Sequence, residues 1–386
     1  MSRLAIGFAS RFAAARSAPT LFATALLAAA AIVAGCASGK PTPQPLEALT
    51  PKISVASAWS QRIEAVTFPL VVAVTGGTFT VAGGDGTVMA LDAATGRELW
   101  RGTAGGKLSA GVGSDGRFAA VVTRDGELVV LEQGQVKWRK ALGSRVTTAP
   151  LVAGERVFVV GVDRAVQAFD AIDGRRLWVL QRPGDPLTLS QSGVLSAFKD
   201  TLVVGQGPRM VGIDPLRGTL RWDVPVGSPR GANEIERLAD LVGPASRVGD
   251  VLCARSFQAA VGCVNADRGA VLWSKNIGGT DAVAADAQLV VAADASDRIS
   301  AWKSATGDVA WTSDKLLYRT LGSPLIAGNS VVFGDSDGTL HWFARDTGEA
   351  QLRLSTDGGA ISVPPAVSGP TLLVVTRKGG LFAFRP

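Results

Sequence analysis

The chain holds one histidine, His341, and three cysteines, Cys36, Cys253 and Cys263. Acid–base, nucleophilic, redox or metal chemistry would have to be assembled from these residues and the carboxylates. His341 lies in "TLHWFA" (339–344), a strand-like stretch with no neighbouring motif that marks a catalytic pair. It reads as core or surface filler. No CxxC, HExxH or EF-hand-like run occurs, so neither a metal nor a cofactor is expected. "GGDGTV" (83–88) and "GDSDGTL" (334–340) look like phosphate-cradling loops, but they lead into strands rather than helices and recur along the chain. That makes them hairpin turns. The one tyrosine, Tyr318, leaves little aromatic surface for stacking sugars. The residue content points to a binding scaffold and away from a catalyst.

Cys36 offers a different chemistry. Arg3, Arg11 and Arg16 precede an apolar run, 21–33, that stops at Val33-Ala34-Gly35-Cys36. The run is too short to span a bilayer, and 1–35 reads as a secretory signal. Its end resembles a bacterial lipobox, in which small residues fit the signal peptidase and the cysteine thiol takes the lipid. The alternative is an ordinary signal with Cys36 incidental. Ala37 after the cysteine, by resemblance to sorting rules in enteric bacteria, favours the outer membrane, facing the periplasm. Removing the three signal arginines from a net charge of +6 leaves about +3, with no block of Lys or Arg, so nucleic acid is not an expected partner. The Pro-rich, polar stretch after the cysteine reads as a flexible tether, giving a lipidated segment over 36–52.

Cys253 and Cys263 fall in "VLCARSFQAAVGCV", a hairpin centred near 257–259. A three-residue turn puts both on one face, and a two-residue turn puts them on opposite faces. An oxidising compartment favours a structural disulfide; the alternative is two small buried hydrophobes.

The elements that would position these residues come from a repeat. "LDAATGRELW" (91–100) returns as "FDAIDGRRLW", "IDPLRGTLRW", "VNADRGAVLW" and "WKSATGDVAW", each with Gly four places before Trp. The steps from Trp100 through Trp138, Trp178, Trp222, Trp273 and Trp311 to Leu352 are 38, 40, 44, 51, 38 and 41 residues. A period near forty with strand-like content and Gly/Asp turns marks a β-propeller. The tryptophans, regular with the fold's own period, are expected to fill wedges between blades. The last repeat, ending "GGLFAF", lacks a fourth strand, while Trp59 lies 41 residues before Trp100. The expectation is an all-β, eight-bladed propeller of four-stranded antiparallel blades over 53–386, its ring closed by pairing the N-terminal strand with the C-terminal blade. The excess length lies in 227–245, with a second irregular stretch at 182–198, and departures of this kind from a regular scaffold are where function concentrates.

The repeat resembles that of pyrroloquinoline quinone dehydrogenases. That family's pattern also includes adjacent cysteines and a calcium-binding Glu–Asn–Asp set, neither of which is found here. A closer resemblance, carried by the lipobox, the eight repeats, "NEIERLADL" (233–241) and the stretch 314–343, is to the BamB family of the outer-membrane β-barrel assembly machinery. It implies a non-catalytic scaffold that binds the periplasmic POTRA repeats of BamA through loops on one face. Such a scaffold would steady the BamA arm or present a platform to nascent outer-membrane strands. The family's Leu-x-Leu-Arg contact falls on Leu187, Leu189 and Ser190, and its Asp-x-Asp contact on Asp240 and Val242, so Ser and Val depart from the pattern. Glu234 and Arg237 join this group because, with Asp240, they fall three apart in the long loop. A propeller lipoprotein for an unrelated ligand is the remaining alternative, and it would use the central channel.

Overall fold

The computed structural model describes residues 41–183 and 187–386; the expected signal segment 1–35 and the expected lipidation site Cys36 lie outside the described residues. Among the described residues, thirty-two strands form eight four-stranded antiparallel sheets. Blade 1 comprises Ala73–Thr75, Thr78–Ala82, Thr87–Asp92 and Glu98–Thr103. Blades 2 to 7 follow over 108–141, 151–180, 195–225, 241–275, 284–313 and 325–355. Blade 8 takes three strands from the C-terminus and its fourth, Ala56–Arg62, from the N-terminal end, paired antiparallel to Gly380–Arg385. Each blade runs first to fourth strand in order, and the first strands touch those of neighbouring blades around the central channel. Antiparallel alternation then places every fourth-to-first connection on one face, together with the second-to-third turns.

The core is a ring of clusters at the blade junctions. One joins blades 8, 1 and 2; others join 2–3, 3–4, 4–5, 5–6, 6–7 and 7–8. Stability is therefore built from nearest-neighbour interfaces. The tryptophan stands at the centre of this, and its glycine partner belongs to the next blade. The rings of Trp59, Trp138, Trp178, Trp222, Trp273 and Trp311 lie against Gly96, Gly174, Gly218, Gly269, Gly307 and Gly348. A Cβ on any of these glycines would meet the ring at 2.3–2.7 Å. Five of the indoles also donate Nε1–H to the carbonyl three residues before that glycine, as in Trp59 to Ala93 at 3.1 Å and Trp311 to Arg345 at 2.7 Å. A buried indole thus keeps its one polar group satisfied.

Leu352, the one repeat position without Trp, follows from closure. Blade 8 has no turn between third and fourth strands, because Arg385 and Ala56 belong to opposite ends of the chain. An indole there would find no turn carbonyl. Leu352 packs instead among Trp342, Leu372, Phe384, Ile53 and Val55.

Residues 44–55 correct the reading of 36–52 as a flexible tether throughout. Gln44 N donates to Leu317 O at 2.9 Å and Lys52 N to Gln351 O at 2.8 Å. Glu47 pairs with Lys315 at 3.0 Å, and Lys52 pairs with Glu349. Leu46 packs on the blade 6–7 cluster. Proline-rich composition suits an extended strap as well as a free linker, and the apolar residues 46, 53 and 55 decide for the strap by burying against blades 6 to 8.

Replacing Gly96 by Ala tests the tryptophan docking against simple backbone strain. Gly154 also has positive φ, +57°, but its Cβ position is open, whereas Gly96, at φ +70°, faces Trp59. Gly154→Ala should cost about 1–2 kcal/mol in urea unfolding, and Gly96→Ala at least about 2 kcal/mol more. Equal losses would show that the ring contact is not a constraint.

Candidate partner-binding face

The two irregular stretches become the connections 181–194 and 226–240, leading into blades 4 and 5 on the same face. That face opens on a cavity of about 670 Å³ in the mouth of the channel, lined by residues including Phe68, Ser190, Val242, Asp281, Leu321 and Arg377. Between the two connections lies a narrower cleft bounded by Arg164, Leu189, Gly207 and Asp240.

Asp240 ties the connections together. Its Oδ2 accepts from Leu189 N at 2.8 Å, and its Oδ1 lies 3.4 Å from Arg164 Nη2. Both side chains are largely shielded, at 12% and 17% exposure for Arg164 and Asp240. Arg164 Nη2 also reaches Leu187 O at 3.4 Å. The backbone finishes the join: Gly243 N donates to Ser192 O and Leu241 N to Gly207 O, both at 2.8 Å. Gly243 is required for that approach, since a Cβ would fall 1.9 Å from Gly193 O.

The structure thus separates the sequence-derived candidates. Leu187 is exposed at 39%, Leu189 is half-buried and Ser190 is exposed. Glu234 and Arg237 are exposed on a short turn, not a helix, whose geometry is held by Asn233 and Glu236: Glu236 N donates to Asn233 Oδ1 at 2.9 Å, and Ala232 N to Glu236 Oε2 at 2.7 Å. Asp240 does not share their surface; it turns inward. Val242 is 5% exposed and forms cavity wall. Two residues escaped the sequence reading. Ile235, at the tip of the long loop, is 73% exposed. Arg164 occupies a left-handed position, φ +66°, in the second-to-third turn of blade 3. Its signal was available, because "VDRA" replaces the "GDGT" and "SDGT" of other blades.

The cysteines sit elsewhere. Residues 257–259 form a three-residue turn, which sets Cys253 opposite Cys263 on one face, and their sulfurs are bonded. The bridge is buried in blade 5 beside Trp273, away from the channel. Arg255 on the same strand is wholly buried and donates to the carbonyls of Asp281, Ile277 and Ala293 at 2.7, 3.2 and 2.6 Å, pinning the connection into blade 6. Burial pushes its pKa down to about 10, so it remains charged at neutral pH.

His341 has partners that the sequence did not reveal. Its Nε2 lies 3.0 Å from Asp335 Oδ2, to which Arg319 Nε also donates at 2.9 Å. Arg319 Nη1 in turn reaches Gln44 O in the strap at 3.4 Å. His341 is 3% exposed and Asp335 fully buried. The pair braces blade 7 and the strap. Among the described residues no group of His, Cys, Asp and Glu is arranged to hold a metal.

The fold and this face define a propeller of the PQQ-like repeat class that carries its irregular loops on one side. A family profile described as outer membrane protein assembly factor BamB matches residues 56–110 and 84–313. The chain is 36% identical over 369 residues to the outer membrane protein assembly factor BamB of Burkholderia pseudomallei, covering 94% of this chain and 97% of that protein. It is 33% identical to that of Bordetella pertussis, covering 89% and 90%. The crystal structure of BamB from Moraxella catarrhalis matches with a TM-score of 0.78 at 22% identity, covering 86% of this chain and all of that one. Quinohemoprotein alcohol dehydrogenase from Comamonas testosteroni shares the fold at a TM-score of 0.65 and 17% identity, covering 86% and 76%. The chain belongs to the BamB family of outer membrane protein assembly factors.

The buried brace gives a pH dependence. Burial holds the His341 pKa below its usual value, despite the opposing pull of Asp335. Burial raises that of Asp335, but hydrogen bonds from His341, Thr339 and Arg319 outweigh it and hold the carboxyl below the usual range. Both shifts make the unfolded chain bind more protons, so stability falls as pH falls: first below about 6.5 through His341, then below about 3.9 through Asp335. Melting temperature should drop from pH 7 to pH 5, and His341→Gln should flatten that slope. An unchanged slope in the variant would remove His341 as its source.

Proposed function

We propose that this chain is a non-catalytic scaffold lipoprotein of the outer-membrane β-barrel assembly complex. Acyl chains on Cys36 would hold it to the periplasmic side of the outer membrane, since several chains anchor where one does not. The connections 181–194 and 226–240 would bind the periplasmic POTRA repeats of BamA, with Leu187, Leu189 and Ile235 as apolar contacts and Glu234 and Arg237 at the rim. The observation that carries this is the joining of the chain's two irregular connections, through Asp240 and Leu189, into one face with exposed aliphatic tips. Apolar side chains exposed on a rigid polar rim are the usual make-up of a protein-binding patch. Quinone-dependent catalysis finds no such support, because the cysteines are joined to each other in blade 5 and do not line the channel.

Titrating residues 37–386 with the POTRA repeats of the same organism's BamA, followed by calorimetry, should give saturable binding. Leu187→Asp with Leu189→Asp should weaken it by about a hundredfold or more with the melting temperature kept; normal binding by a folded double variant would reject this face. Cys36→Ala should release the protein to the soluble periplasmic fraction, and membrane retention of that variant would rule out the lipid anchor.

A further inference from the structure

Six blades turn from second to third strand in the same way, with an N–H to C=O bond closing three residues apart and the residue that donates it left-handed. That residue is Gly86, Gly126, Gly338 and Gly379 in blades 1, 2, 7 and 8, Arg164 in blade 3 and Asp297 in blade 6. An L-residue there strains the backbone by roughly 1–3 kcal/mol, a cost that glycine avoids. In blade 6 Asp297 stands at φ +65°. What Asp297 does is visible: its carboxylate accepts from Thr320 N at 2.7 Å and Leu321 N at 2.9 Å, pinning the connection that leads into blade 7. Arg164 reaches the equivalent connection of its own blade, at Leu187 O, and meets Asp240 from the next one. In both blades the strained residue replaces glycine and its side chain holds the loop that follows.

Resting on the POTRA-binding reading, we propose that Arg164 and Asp240 are positioning residues of that face. They clamp the segment 187–190 so that Leu187 and Leu189 are presented, and Asp240 acts through the Leu189 amide instead of touching the partner. This reassigns an acidic position that family resemblance treats as a contact. It also explains how Ser190 and Val242 can depart from the family pattern, since the placement of the loop rests on Arg164, Asp240 and backbone bonds that neither substitution breaks.

The decisive variant is Arg164→Gly, because relief of backbone strain and loss of the clamp pull in opposite directions. In the full-length chain, purified in detergent, its melting temperature should be unchanged or higher. Hydrogen exchange at the Leu189 amide should speed by about tenfold or more, in keeping with a lost charge-assisted bond, and POTRA affinity should fall by a similar factor. Asp240→Ala should raise the same exchange, and Asp240→Asn, whose carboxamide oxygen still accepts from Leu189 N, should recover part of the protection. Combined with Leu187→Ala and Leu189→Ala, Asp240→Ala should weaken binding no further. Additive losses in that combination would place Asp240 in direct contact and overturn its assignment. Unchanged Leu189 exchange in both Arg164→Gly and Asp240→Ala would overturn the clamp. A failure of the unaltered chain to bind POTRA repeats would count against the functional reading alone, and the exchange measurement would still decide the clamp.

Discussion

The docking of an indole onto the next blade's glycine turn is the constraint on which the rest of the structure depends. It needs a left-handed glycine to clear the ring and a neighbouring blade close enough to supply it, and at five of the six docked rings a turn carbonyl also takes the indole N–H. Six of the blades therefore specify the distance and tilt of the next in this way. Trp59 on Gly96 carries the rule across the ring closure, so that the strand Ala56–Arg62 is held by its pairing with Gly380–Arg385 and also by blade 1. Where the chain ends remove the turn, the indole disappears too, and Leu352 with residues 53 and 55 fills the gap.

A scaffold made rigid in this way frees one face for variation. Connections from an outer strand to the next inner strand carry no share of the ladder and tolerate added length. Their backbone polar groups still need partners, and they find them locally: Arg255 for the connection into blade 6, Arg319 and Asp335 around the strap, and Asp240 between the two long connections. These buried or half-buried charges add little to global stability once desolvation is counted. Their effect is to give each loop one conformation, which is what a binding face requires.

The strap adds a geometric consequence. It begins beside the connection into blade 7, on the face that bears the cavity and the long loops, and runs down to the opposite end of blade 8. Its ion pairs with Lys315 and Glu349 are exposed and weak individually. The apolar anchors at 46, 53 and 55, together with its continuity into the closing strand, hold it in place.

The periodicity of the sequence alone determined the fold, because a forty-residue repeat with one Gly–Trp pair per unit has few ways to bury its rings, and the count of units fixes closure. The same pattern located the irregular loops as departures from it. Tertiary structure alone decided which residues meet. Trp pairs with the glycine of the following blade and not its own, and Asp240 lies by Leu189 across 51 residues of chain. His341 finds Asp335 through a hairpin register. The first two are contacts between different blades or their connections, and the third depends on which way the side chains of a hairpin face, so no spacing rule within one repeat reports them. Arg164 lies between the two cases: its place in a glycine turn was legible, but its reach toward two loops from neighbouring blades depended on the ring that brings those blades together.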